Sequence, residues 1–270
     1  MRRANTYEPN ELIVELKENK VPFILHTTTM TRTIITEDTT YSYISNTMPL
    51  NMRELNLIKK VKADAGKLDL SQFKLLEAKD ISFIHRSNLK LDEDATGDFY
   101  EIDLKQAYWN IAYIKGIISK ETYLYANHPR IKKRARLIAL GALAKRITSV
   151  SFDGEKYGKV VVGEASEYAR LFYACCFEVS SIMEDIKREM DKDYIFHWVD
   201  AIFIKSSPAL NKLIEYLTIL HMEIKKDYPA FSDSFFKVIP CEKISRKKNK
   251  MLVYSQFHER KIREFNFQKP

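Results

Sequence analysis

The stretch YIFHWVDAIFIK, residues 194–205, is a run of aromatic and β-branched side chains interrupted by one acid, Asp200. Side chains of this kind suit a pleated, half-buried surface. The run is long enough for two short strands, so it reads as strand–turn–strand with Asp200 near the turn. Burying a charge is costly unless it is paired or holds a metal, so an acid kept in such surroundings needs a reason.

The neighbouring segments extend the pattern in both directions. Downstream, residues 207–226 read as a helix started by Ser207-Pro208. FFKVIP (235–240) and MLVYSQF (251–257) read as two last strands flanking a basic loop. Upstream, 165–191 reads as a long helix, and SFDGEKYGKVVV (151–162) as a hairpin turning at Asp153-Gly154. FYEIDL (99–104) reads as a strand, and AYWNIAYIKGI (107–117) follows with apolar residues at helical spacing. From residue 99 onward this predicts an antiparallel sheet with helices packed on one face, an α+β plan. The first hundred residues are β-rich. Residues 22–45 read as two or three strands with a turn near Glu37-Asp38. Residues 51–66 read as a helix capped by Asn51 and ended by Gly66. Residues 73–90 read as a short helix and a strand, ISFIH (81–85).

A second lone acid, Asp103, ends the apolar strand Ile102-Asp103-Leu104. Two isolated acids, far apart in the chain, can meet across neighbouring strands. The chemistry that wants such a meeting is two-metal phosphoryl transfer, in which cations about 3.5–4 Å apart clamp the attacking and leaving oxygens. Magnesium takes carboxylate oxygens and keeps its other positions for phosphate and water. Taken singly, an Asp at a strand end most often caps a turn. The sequence around both acids separates the two readings.

Asp103-Leu104-Lys105-Gln106-Ala107-Tyr108-Trp109-Asn110-Ile111 resembles motif A of the family B DNA polymerases, an Asp followed five residues later by a Tyr and a helix. Trp109-Asn110 stands where the family has Pro-Ser. His197-Trp198-Val199-Asp200-Ala201-Ile202-Phe203-Ile204 resembles motif C, with Asp200 at the second Asp of Asp-Thr-Asp and Trp198 at the first. Motif B is matched only by Lys133 and Gly141. The resemblance implies a polymerase palm with Asp103 and Asp200 as catalytic, metal-binding carboxylates for two Mg²⁺ or Mn²⁺ ions. It implies that backbone amides of Leu104, Lys105, Gln106 and Ala107 hold the triphosphate, and that Tyr108 lies under the incoming sugar and favours dNTPs. Arg246-Lys247-Lys248-Asn249-Lys250 entering a strand is similar to the family's Lys-x-Tyr segment. That likeness makes Lys247, Lys248 and Lys250 candidates for contact with the primer strand. No exonuclease element with Asp-x-Glu precedes Asp103, so no proofreading is expected. Strand alternation puts Glu101 on the face of Asp103, as a lesser candidate.

The segment PRIKKRARLIALGALAKR (129–146) carries seven Lys or Arg and no acid. On a helix, Arg130 and Lys133, with Arg134 and Arg136, can face one side and neutralise a triphosphate. A solvated basic face is the plainer reading.

The 270-residue chain has a net charge of +8, which favours nucleic acid as a partner. Its three cysteines form no CxxC pair, which argues against a disulfide framework or structural zinc. No run of eighteen apolar residues exists, and the N-terminus lacks the apolar core of a signal peptide, so a cytoplasmic protein without membrane contact is expected. The expected organisation is a β-rich region at 1–95, a palm at 96–118 and 148–240, a fingers-like basic insert at 119–147 and a small thumb-like region at 241–270. The expected activity is template-dependent DNA synthesis on a primer-template or single strand. A primase or template-independent transferase, a metal-dependent nuclease, and a non-catalytic nucleic-acid-binding protein are the alternatives.

Overall fold

Leu12 and Leu16 lie one turn apart, and both are buried on helix α1 (Pro9–Glu18), whose first position is the Pro that a helix start tolerates. They pack on Phe23, Ile34 and Phe152, the core of one antiparallel sheet. The computed structural model describes residues 9–28, 31–44, 51–76, 81, 93–205, 207–247, 250–255 and 262–266. Within them the architecture is α+β, with two antiparallel sheets and seven α-helices. The chain forms two compact units: Met1–Leu70 with His128–Phe172, and Ser71–Asn127 with Tyr173–Pro270.

In the first unit, β1 (Phe23–Thr27), β2 (Thr31–Ile35), β3 (Thr40–Ile44), β5 (Thr148–Phe152) and β6 (Val161–Val162) form a sheet in the order β3-β2-β1-β5-β6. Phe23 is the Cα partner of Phe152, and their rings lie 5.2 Å apart. The turn at Asp153-Gly154 is as expected. The Asp153 carboxylate accepts the amides of Glu155 and Lys156, and Gly154 has φ 102°, where a Cβ would meet the Lys20 carbonyl at 2.8 Å. The strand beside this turn pairs with β1 and not with the acid-bearing strands, which corrects its expected place in their sheet. The reason is the Phe23–Phe152 register, a non-local match that hydropathy does not encode.

Helix α2 (Met52–Ala65) has the expected caps. The Asn51 side chain accepts from Arg53 and Glu54, Glu54 accepts from the Asn51 amide, and Gly66 closes the end. This reciprocal capping box satisfies donors that a bare helix start leaves orphaned. Glu54 is buried, and its other oxygen accepts the Lys132 amide at 3.1 Å, just before α5 (Lys133–Gly141). One carboxylate therefore serves two helix starts.

In the second unit the sheet order is β11-β10-β9-β4-β8-β7. Its strands are β4 (Asp94–Leu104), β7 (Tyr194–Trp198), β8 (Ala201–Lys205), β9 (Phe236–Lys247), β10 (Lys250–Ser255) and β11 (Ile262–Asn266). Helices α3 (Ala107–Ile114), α4 (Lys120–Tyr125), residues 173–190 of α6 (Ala169–Met190) and α7 (Ser207–Asp227) belong to the same unit. Phe99, Phe196, Phe203, Cys241, Ile244, Met251 and Val253 share one core. The Phe196 and Phe203 rings stack at 4.2 Å, which adds about 0.5–1.5 kcal/mol beyond the area buried. β9 runs through residue 241, so the sheet does not break where the thumb-like region was expected to begin. β11 continues the sheet and was not anticipated. Residues 77–80 and 82–92, which include most of the expected ISFIH strand, lie outside the described residues.

Candidate active site at the β4–β8 junction

β4 and β8 run antiparallel with Asp103 opposite Ala201, the residue after Asp200. The Leu104 amide donates to the Asp200 carbonyl at 2.9 Å. Residues directly opposite in such a pair lie about 5 Å apart between Cβ atoms. The two acids, 97 positions apart in sequence, are therefore neighbours in backbone at one end of the central strands. Both are half-buried. Asp200 is the second residue of the two-residue β7–β8 turn, after Val199. Val199 has φ 58°, a left-handed conformation at the position where type II′ hairpins place Gly. A β-branched residue there stores of order 1–3 kcal/mol of strain.

After Asp103 the chain leaves β4 and enters α3 through Gln106, also left-handed (φ 54°, ψ 33°) and lacking a side-chain cap. The amide of Leu104 is used by Asp200, and that of Lys105 donates to the Phe235 carbonyl at 2.8 Å. Of the four amides expected to hold a triphosphate, at 104–107, those of Leu104 and Lys105 are thus engaged by carbonyls of their own unit. The amides of Gln106, Ala107 and Tyr108 stand at the start of α3, where a helix offers no intrahelical acceptor. A helix N-terminus with orphaned amides and a positive dipole end suits phosphate.

Tyr108 follows in the first turn of α3. Burial raises its hydroxyl far above the usual tyrosine range, helped by the nearby Cys176, Asp200 and Cys175. It stays neutral, and the Asp200 charge reaches it. Glu101 is buried at 3% exposure, opposite Phe203 on β8 and Ile239 on β9. Lys237 is the Cα partner of Asp103 on β9 and is exposed. That places a cation beside the acid on the same face, which sequence spacing alone does not reveal.

The other expected residues belong to other elements. Arg130 and Lys133 are exposed residues of the first unit, and the Arg130 carbonyl accepts from the Asn51 side chain. Lys247 and Lys250 are exposed Cα partners at the β9–β10 end. Lys248 lies outside the described residues. Lys247 shares Asp94 with Lys243, whose ammonium is 2.7 Å from it.

Two carboxylates with hard oxygen donors, at strand ends and half-open, fit Mg²⁺, which commonly binds proteins through one or two carboxylates. Among the described residues no group of three or more His, Cys, Asp or Glu is arranged to hold a metal. The remaining ligand positions would fall to water and substrate. Among the described residues no helix is long and apolar enough to cross a membrane. No family model matches the chain, and no curated protein matches it in sequence.

Proposed function

We propose that the second unit is the palm of a DNA polymerase-like nucleotidyltransferase, adding dNTPs to a 3′-hydroxyl on a primer-template. The observation that carries this reading is the β4–β8 register, which makes neighbours of Asp103 and Asp200. Support comes from Tyr108, five residues after Asp103, at a helix start and within reach of the Asp200 charge. Asp103 and Asp200 would hold two divalent cations. When bound, such ions polarise the phosphates and ease deprotonation of the attacking hydroxyl. The α3 amides at 106–108 would hold the triphosphate, and the neutral Tyr108 ring would floor the sugar and exclude a 2′-hydroxyl. Lys247 and Lys250 would track the primer backbone.

Extension of a labelled primer with Mg²⁺ and dNTPs tests the reading. Wild type should lengthen the primer. Asp103→Asn and Asp200→Asn should each lose roughly a thousandfold in rate, the scale of several kcal/mol of metal-borne stabilisation. Their melting curves should stay close to wild type. Shortened products would make the protein a nuclease. Equal DNA binding by all three proteins with no product would make it a binding module.

A further inference from the structure

Asn110 is the one polar side chain among the fully buried residues of α3, at 0% exposure. A buried amide is costly unless every part of it is hydrogen-bonded. Its Nδ2 donates to the Lys105 carbonyl at 2.8 Å, and its Oδ1 accepts the Tyr123 hydroxyl at 2.8 Å. Tyr123, itself 1% exposed on α4, accepts the Ser232 amide at 3.1 Å. The Ser232 hydroxyl donates to the Ser234 carbonyl, and the Ser234 hydroxyl accepts the Lys105 ammonium at 2.6 Å. The Lys105 amide donates to Phe235 in the same loop. The path begins at the Lys105 carbonyl and returns to the Lys105 side chain. It closes around the residue that links Asp103 to the left-handed Gln106.

From this geometry we infer that Asn110 and Tyr123 are positioning residues, holding the Asp103–Ala107 turn so that the acid and the α3 amides keep a fixed relation. The inference rests on the nucleotidyl-transfer reading for its functional consequence. The Leu104 and Lys105 amides anchor one side of the turn, while Gln106 is left-handed and its side chain makes no cap for α3. A closed hydrogen-bonded circuit with each member fixed by the next supplies rigidity that pairwise contacts lack. Such rigidity matters because small displacements of reacting groups are expensive in rate.

The test uses Tyr123→Phe in the full chain, which removes one hydroxyl and keeps the ring stacked 4.4 Å from Tyr113. Asn110→Leu is the stronger variant. Hydrogen exchange by mass spectrometry should show faster exchange confined to residues 104–109 and 232–236. In primer extension, kcat should fall roughly ten- to a hundredfold, while KM for DNA stays unchanged. The double variant should be no slower than Asn110→Leu alone, because both cut one circuit. Unchanged exchange at 104–109 in folded Tyr123→Phe overturns the inference, whatever the activity. So does a wild-type kcat in Tyr123→Phe. A wild type that adds no nucleotide brings down the polymerase reading instead, and the exchange data then still decide the clamp.

Discussion

Val199 occupies a backbone conformation that its own side chain resists. Left-handed φ costs an ordinary residue roughly 1–2 kcal/mol, and β-branching adds to the crowding. The turn nonetheless delivers the carbonyl of Asp200 to the Leu104 amide and sets the acid beside Asp103. Backbone strain of this kind persists only where the surrounding structure holds it, and the Leu104–Asp200 hydrogen bond is one such hold. Val199→Gly should therefore stabilise the protein by up to about 1 kcal/mol, since the relief of strain is partly offset by the freedom Gly adds to the unfolded chain. Denaturant midpoints measure this. Under the nucleotidyl-transfer reading the same variant should lose rate, because a looser turn holds Asp200 less firmly. A destabilised Val199→Gly would show that the turn tolerates Val without strain. The backbone meeting of Asp103 and Asp200 was legible in the sequence because each is a lone acid in an apolar segment, whereas Tyr108, in a segment with other aromatics, stood out only by its spacing from Asp103. The engagement of the Leu104 and Lys105 amides was not, because their acceptors, Asp200 and Phe235, come from far along the chain. Asn110 did leave a signal, a lone amide inside AYWNIAYI, that hydropathy spacing alone passes over.

At the scale of elements, α6 carries Cys175 and Cys176, both buried, beside Tyr108. Burial in apolar surroundings raises both thiols; Cys176 is pushed up to about 12, and Cys175 lies higher still. The thiolate is the reactive form, so at pH 8 only about one Cys176 in ten thousand carries it. Cys241, also buried, sits in the sheet core. The native protein should consume almost no thiol reagent at pH 8, and the unfolded protein should consume three equivalents, one for each cysteine in the chain. Fast labelling of the native state would show that α6 opens readily. Helix α2 was readable in full, since its caps are local chemistry: Asn51, Glu54 and Gly66 stand at the spacing the motif demands. The strand–turn–strand at 194–205 was readable for the same reason. Helix α1 was not, because Ile13 and Val14 blur its leucine spacing and its signal runs into the β-branched stretch that follows. The pairing of β5 with β1 depends on a match between Phe23 and Phe152, which no local pattern announces.

For the molecule as a whole, the net charge of +8 and a pI near 9.1 predict an affinity for polyanions that depends on salt. The β9–β10 end shows how the excess is distributed. Asp94 sits between Lys243 and Lys247, and the hydrogen bond from Lys243 is the first cause that lowers its carboxyl, with Ser245 next. Lys243 and Lys247 both face an acid of their own chain, and Lys250, the Cα partner of Lys247, is exposed at the start of β10. Neutralising one phosphate releases condensed counterions, so each true contact adds about 0.9 to the slope of log K against log salt on duplex DNA. Lys250→Ala should reduce that slope by about one and weaken binding equally on unrelated sequences. Lys243→Ala should change it less, because losing that ammonium also frees Asp94 to repel phosphate locally without removing a contact. Fluorescence anisotropy with a labelled duplex, repeated over several salt concentrations, gives the slopes directly. A wild-type slope near zero would mean that the basic surplus only keeps the protein soluble, and the β9–β10 lysines would then have no claim on the primer strand.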